Sequence, residues 1–145
     1  MSKKLETLDI LLQIIVAAQG EPMSPVQLQK VAFLVGQECS ENDLPKPYYD
    51  FAPYDYGPFC VDVYRDAERL QEQGLVSIGI NSSGGWREYR ATFQSRDVDT
   101  DLISKEVVDY IQSAVEWAMQ LTFRQLVSSI YHSYPHFREN SIFNG

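Results

Sequence analysis

Six aromatic rings crowd one short stretch of this 145-residue chain: Tyr48, Tyr49, Phe51, Tyr54, Tyr56 and Phe59. Tyrosine joins a large apolar ring to a hydroxyl, so it serves both at protein interfaces and at the edges of cores. An extended segment cannot bury all six, because successive side chains point in opposite directions. Two compatible readings follow. In one, Phe51, Tyr56 and Phe59 close a core while Tyr48 and Tyr54 lie at its rim. In the other, the group is a platform for a partner protein. Asp55, between Tyr54 and Tyr56, either orients a basic group of that partner or bonds nearby backbone in a turn. The expected protein-interaction residues are Tyr48, Tyr54, Asp55, Tyr56 and Phe59.

A second group is basic. Arg87, Arg90 and Arg96 against Glu88 give the region around them a local charge of +2. These are the residues a nucleic-acid contact would use; the alternative is a solvated strand face balancing an acidic protein. Other arrangements promise less. His132 and His136 stand four apart, but Pro135 between them breaks the helix that would align them, so no metal site is expected. Asp97, Asp99 and Asp101 alternate as calcium ligands do, yet the later Gly and Glu of an EF-hand loop are missing. Asp50 and Asp55 could pair as acid and base, although such pairs arise by chance among 20 acidic residues. Gly84-Gly85 precedes no helix and so cradles no phosphate. No nucleophile elbow, phosphate loop, HExxH or dinucleotide fingerprint occurs, and neither enzymatic activity nor a cofactor is expected.

Charge and composition narrow the classes. Twenty Asp and Glu face 12 Lys and Arg, a net −8. That disfavours a broad phosphate-binding surface, which needs clustered cations. The length suits one domain, residues 1–145, burying roughly 70% of its unfolded surface. Cys39 and Cys60 stand alone and read as free thiols rather than a disulfide framework. Lys3 and Lys4 before the run Ile10–Ala18 imitate a signal peptide. Glu6, Asp9 and Gln13 interrupt that pattern, and the run falls short of the ~20 residues a bilayer requires. A cytoplasmic protein with an amphipathic first helix is expected, with no membrane association.

The elements that position these residues follow from periodicity. Leu5, Leu8, Leu12, Ile15 and Val16 recur at helical spacing, with Gly20 as the stop. Ser24-Pro25-Val26-Gln27 is a capping box with proline at the first helical position, ahead of the stripe Leu28, Val31, Ala32 and Val35. Residues 40–57 form a proline- and aromatic-rich connection. Gly57-Pro58 opens a third helix, Pro58 to Gln73, which Gly74 ends. Leu75–Ile80 and Trp86–Phe93 read as a hairpin. Asp99 or Thr100 caps a long helix bearing Ile103, Val107, Ile111, Ala114 and Ala118. Thr122-Phe123-Arg124-Gln125 caps the last helix. The class is therefore α+β and mostly helical: a winged-helix-like three-helix core with a β-hairpin, then a helical extension over residues 97–145. Leu102 to His132 either completes the core or forms a homodimer. On the third helix Asp62, Asp66, Glu68 and Glu72 outweigh Arg65 and Arg69, so a groove-reading role meets phosphate repulsion.

Three stretches carry a resemblance. They are Leu28-Gln29-Lys30-Val31-Ala32-Phe33-Leu34, then Tyr49-Asp50-Phe51-Ala52-Pro53-Tyr54-Asp55-Tyr56-Gly57-Pro58-Phe59 with Val63-Tyr64, and Tyr131-His132-Ser133-Tyr134-Pro135 with Asn140-Ser141. Together they resemble the YwgA-like proteins and, more distantly, the Panacea domain of SocA-like antitoxins. The resemblance implies a winged-helix-like antitoxin, adaptor or defence-linked module that binds a partner protein, such as a toxin. It supplies no catalytic residue set. A DNA-binding regulator is the alternative expectation.

Overall fold

The computed structural model describes residues 4–143, so Lys3, paired above with Lys4, lies outside the described residues. Within them run α1 (Thr7–Ala17), α2 (Pro25–Glu38), β1 (Ala52–Tyr54), β2 (Gly57–Phe59), α3 (Val61–Glu72), β3 (Val76–Ile80), β4 (Arg87–Ala91), α4 (Lys105–Met119) and α5 (Phe123–Ser133). Single 3-10 turns occupy Glu41–Asp43, Phe93–Asp97 and Pro135–Arg138. The fold is mostly helical α+β, with two antiparallel hairpins.

The capping chemistry places α2 and α5 where the sequence expects them. Ser24 accepts from the Gln27 amide at 3.2 Å while Gln27 accepts from the Ser24 amide at 2.8 Å. Thr122 and Gln125 repeat this exchange at 3.1 and 2.9 Å. Each box satisfies two donors that a helix start otherwise leaves unpaired.

The first two helices are more central than their stripes suggest. Leu8, Ile10, Leu11, Leu12, Ile14, Ile15 and Ala17 of α1 are all buried, as is every residue from Leu28 to Val35 of α2. α1 packs against α3, α4 and β4, and α4 also packs against α2. A helix covered on nearly all sides belongs to the core. The last segment is thus part of that core: Val107, Ile111, Ala114, Val115 and Ala118 are buried on α4. No helix among the described residues is long and apolar enough to cross a membrane.

The second hairpin, β3–β4, gains a third backbone partner. Met23 and Tyr89 exchange two 2.9 Å hydrogen bonds, joining the α1–α2 connection to β4. The order helix, bridging segment, helix, helix, hairpin is that of a winged-helix unit, with one insertion.

That insertion corrects two boundaries. Gly57-Pro58 does not open a helix; it starts β2, paired Tyr54↔Gly57 and Pro53↔Pro58 with β1. Gly57 takes φ +107°, a left-handed conformation that suits a turn and not a helix start. Pro58 lacks a donor, which a two-stranded ribbon tolerates at its edge. α3 accordingly begins at Val61, with Cys60 as its N-cap. Likewise, α4 is capped by Ser104, which accepts from the Val107 amide at 3.3 Å, and not by Asp99 or Thr100. Asp99 instead accepts from the Asp101 amide at 2.9 Å in a local turn.

Candidate functional site

The aromatic stretch divides at the β1–β2 hairpin. Its first half is structural. Tyr48, expected at the rim or in a partner platform, donates to the Ala32 carbonyl at 2.7 Å. Its ring lies so close to Gly36 that a Cβ there would come within 2.7 Å. Burial pushes the phenol's pKa up, and the nearby Cys39 and Cys60 thiols add to this. Tyr49 donates to Asp66 at 2.5 Å, and Thr7 donates to the same carboxylate oxygen at 2.7 Å. Arg69 reaches the other oxygen at 3.2 Å. Asp66 is therefore buried against the core rather than presented on the acidic face expected of α3. Phe51 meets Phe33 edge-on at 5.5 Å, and Phe33 also meets Tyr134 and Phe137 at 4.9 and 4.8 Å.

The second half faces outward. Tyr54 is 55% exposed and stacks on Phe59 at 5.2 Å. Tyr56, expected to close the core, is 42% exposed and meets Phe123 edge-on at 5.2 Å. The reason is the turn itself: Asp55-Tyr56 is the two-residue tip of the hairpin, whose side chains project from the surface. The Asp55 carbonyl accepts from the Ile142 amide and the Ser141 hydroxyl, both at 3.0 Å, so the C-terminal segment holds this tip in place.

Tyr54, Asp55, Tyr56 and Phe59 line a cleft of about 690 Å³, and Tyr48 does not. The opposite walls come from the first turns of α2 (Ser24 to Gln27) and α5 (Thr122, Phe123), with Tyr64 and Trp86 at one side. Trp86 is 47% exposed and Phe123 45%. From α3 the cleft receives Tyr64, which stacks parallel to Tyr89 at 6.2 Å. Burial and the neighbouring Tyr89 push its phenol up to about 12.

Two polar residues on the buried face of α2 hold the cleft's inner wall. The Gln29 amide donates to the Cys60 carbonyl and accepts from the Cys60 amide, both at 2.9 Å. Lys30 Nζ donates to the Pro58 carbonyl at 3.0 Å. Its side chain is 4% exposed, and it is the one basic residue in the cleft lining. No described carboxylate lies within ion-pair distance of it. Burial lowers the ammonium to about 8. Gly57 packs against this side chain: a Cβ there would sit in contact with Lys30 Cε and Tyr131 Cε1, each at 3.4 Å, and its φ of +107° is what demands glycine. The Tyr131 hydroxyl is buried without a hydrogen-bond partner among the described residues.

Sequence reasoning gave no site role to Lys30, Gln29, Trp86 or Phe123. For the first two a signal existed: a Gln-Lys pair inside an otherwise apolar helical run. Trp86 and Phe123 carry none, because only the fold brings a hairpin end and a helix start to the same cleft.

The three arginines do not converge. Arg87 pairs with Glu68 of α3 at 3.4 Å, both side chains being half exposed. Arg90 lies on the opposite face of β4, as strand alternation requires. Arg96 sits over the Phe93 ring at 4.8 Å. His132 and His136 are both exposed, and no group of three or more metal-ligating side chains is assembled among the described residues. No protein-family model and no curated protein sequence matches the chain.

Proposed function

We propose that the protein is a non-enzymatic, cytoplasmic interaction module, antitoxin-like or adaptor-like, that binds an apolar segment of a partner polypeptide in the aromatic cleft. One observation carries this reading: Tyr54, Tyr56, Trp86 and Phe123 remain between 42% and 55% exposed around a single cleft. Large aromatic side chains grouped this way gain by covering one another with a ligand, and tyrosine and tryptophan are the residues that dominate binding surfaces. The net charge of −8 favours encounter with a basic partner, the effect fading with added salt. The pairing of Arg87 with Glu68 and the separation of Arg90 and Arg96 weigh against the DNA-binding alternative.

The test is comparative co-purification from the native cell. The Tyr54→Ala/Trp86→Ala double variant should lose a partner that wild type retains, while Phe93→Ala, a 76% exposed ring elsewhere, keeps it. Retention of the same partner by the double variant, folded and at equal yield, removes the cleft from the reading.

A further inference from the structure

The inner wall of the cleft holds a cation with little to balance it. Lys30 has three donors, of which one meets the Pro58 carbonyl, and the lining around it is otherwise apolar or neutral apart from Asp55. A buried ammonium without a counter-ion is unfavourable, so the site gains when an anion arrives. We propose that the partner segment enters by its C-terminus, its terminal carboxylate bonding to Lys30 and its last, apolar side chain filling the aromatic cleft. This rests on the cleft being the partner's site.

Three features select that occupant. Lys30 is the single cation in the lining and pairs with no described acid, while Asp55 already places one negative charge there, so the cleft suits an anion of single charge and opposes phosphates or nucleotides with several. The volume of about 690 Å³ accommodates one or two large side chains. A small free acid would occupy only part of a cleft this size and leave the rings of Tyr54, Trp86 and Phe123 uncovered. A chain end occupies the cleft while the residues before it lie across those rings, and backbone carboxylate capture is a recurring mode of peptide recognition.

The chemistry also sets a pH signature. Binding requires the charged form of Lys30, whose ammonium already releases its proton near pH 8 in the free protein. Affinity should therefore fall close to tenfold per pH unit above about 8. A lysine that merely props the Pro58 carbonyl would give no such dependence.

The test uses two libraries of random heptapeptides, one with free C-termini and one with both ends fused. Binding is read from Trp86 fluorescence in a Trp117→Phe background. The expected result is enrichment from the free-end library, with apolar last residues. Amidating a selected peptide should weaken it at least tenfold, and Lys30→Met should erase the difference between acid and amide. The acid–amide comparison on the unsubstituted Lys30 protein stands even if Lys30→Met fails to fold. Equal affinity of acid and amide, or equal enrichment from the fused library, overturns carboxylate capture and leaves the cleft reading intact. Enrichment from neither library overturns both. If 4-phenylbutyrate binds as tightly as any selected peptide, the polypeptide origin of the carboxylate is overturned.

Discussion

Two clusters of aromatic side chains, each seeded by one half of the same stretch of sequence, have opposite fates. In the inner cluster Tyr48, Tyr49 and Phe51 turn into the protein, and each tyrosine hydroxyl finds a fixed acceptor, the Ala32 carbonyl or the Asp66 carboxylate. Tyr134 completes it by donating to Glu38. In the outer cluster Tyr54 stacks on Phe59 and Tyr56 meets Phe123 edge-on, yet these rings and Trp86 keep about half of their surface in water. Both clusters are built mainly of tyrosine and phenylalanine, so ring content does not distinguish a core from a binding surface. What separates them is the satisfaction of the hydroxyls and the covering of both ring faces. The dividing point is the β1–β2 hairpin.

Breaking the inner cluster should be costly. Phe33→Ala removes a ring that meets Phe51, Tyr134 and Phe137, and denaturant unfolding should show a loss of about 3–5 kcal/mol. Tyr48→Ala should cost about 2–4 kcal/mol, and Tyr48→Phe about 1 kcal/mol through the hydrogen bond alone. If Tyr48→Ala left stability unchanged, the inner cluster would not be core and the division would fail.

Lys30 lies between the clusters, and its effect depends on pH. Its folded-state pKa of about 8 lies below the unfolded value of 10.5. Between these values the unfolded chain holds the Lys30 proton more tightly, so the contribution of Lys30 to stability rises with pH across that window. The Lys30 contribution gained between pH 8 and 9 should be about 1 kcal/mol, read from urea unfolding of wild type and Lys30→Met at each pH. Toward pH 10 the trend reverses, because the buried tyrosines have raised pKa values and their unfolded forms ionise first. Lys30→Met should abolish the rise.

The smallest effects sharpen the contrast. Tyr131→Phe removes a buried hydroxyl that has no described partner, so stability should stay level or rise by about 1 kcal/mol. Tyr54→Ala should change unfolding by no more than about 0.5–1 kcal/mol, as expected of a half-exposed ring.

Much of the frame was legible because it rests on local chemistry. The boxes Ser24–Gln27 and Thr122–Gln125, the stop at Gly20 and the β3–β4 hairpin all depend on residues within a few positions of one another. The site was half legible. Tyr54, Asp55, Tyr56 and Phe59 do line the cleft, but Tyr48 and Tyr56 exchange the roles expected of them. That exchange turns on Gly57-Pro58, whose sequence suits a helix start and a hairpin arm equally well. Only its pairing with Pro53 and the reach of Lys30 to the Pro58 carbonyl decide between them. Both are contacts between residues distant in sequence or register, which periodicity does not carry.

The central claim, that the outer rings are kept for binding and not for folding, is tested most directly by measuring both properties on one variant. Tyr54→Ala/Trp86→Ala should unfold within about 1 kcal/mol of wild type while binding a cleft-selected peptide at least a hundredfold more weakly. An unfolding loss as large as that of Phe33→Ala, with peptide affinity unchanged, would contradict it.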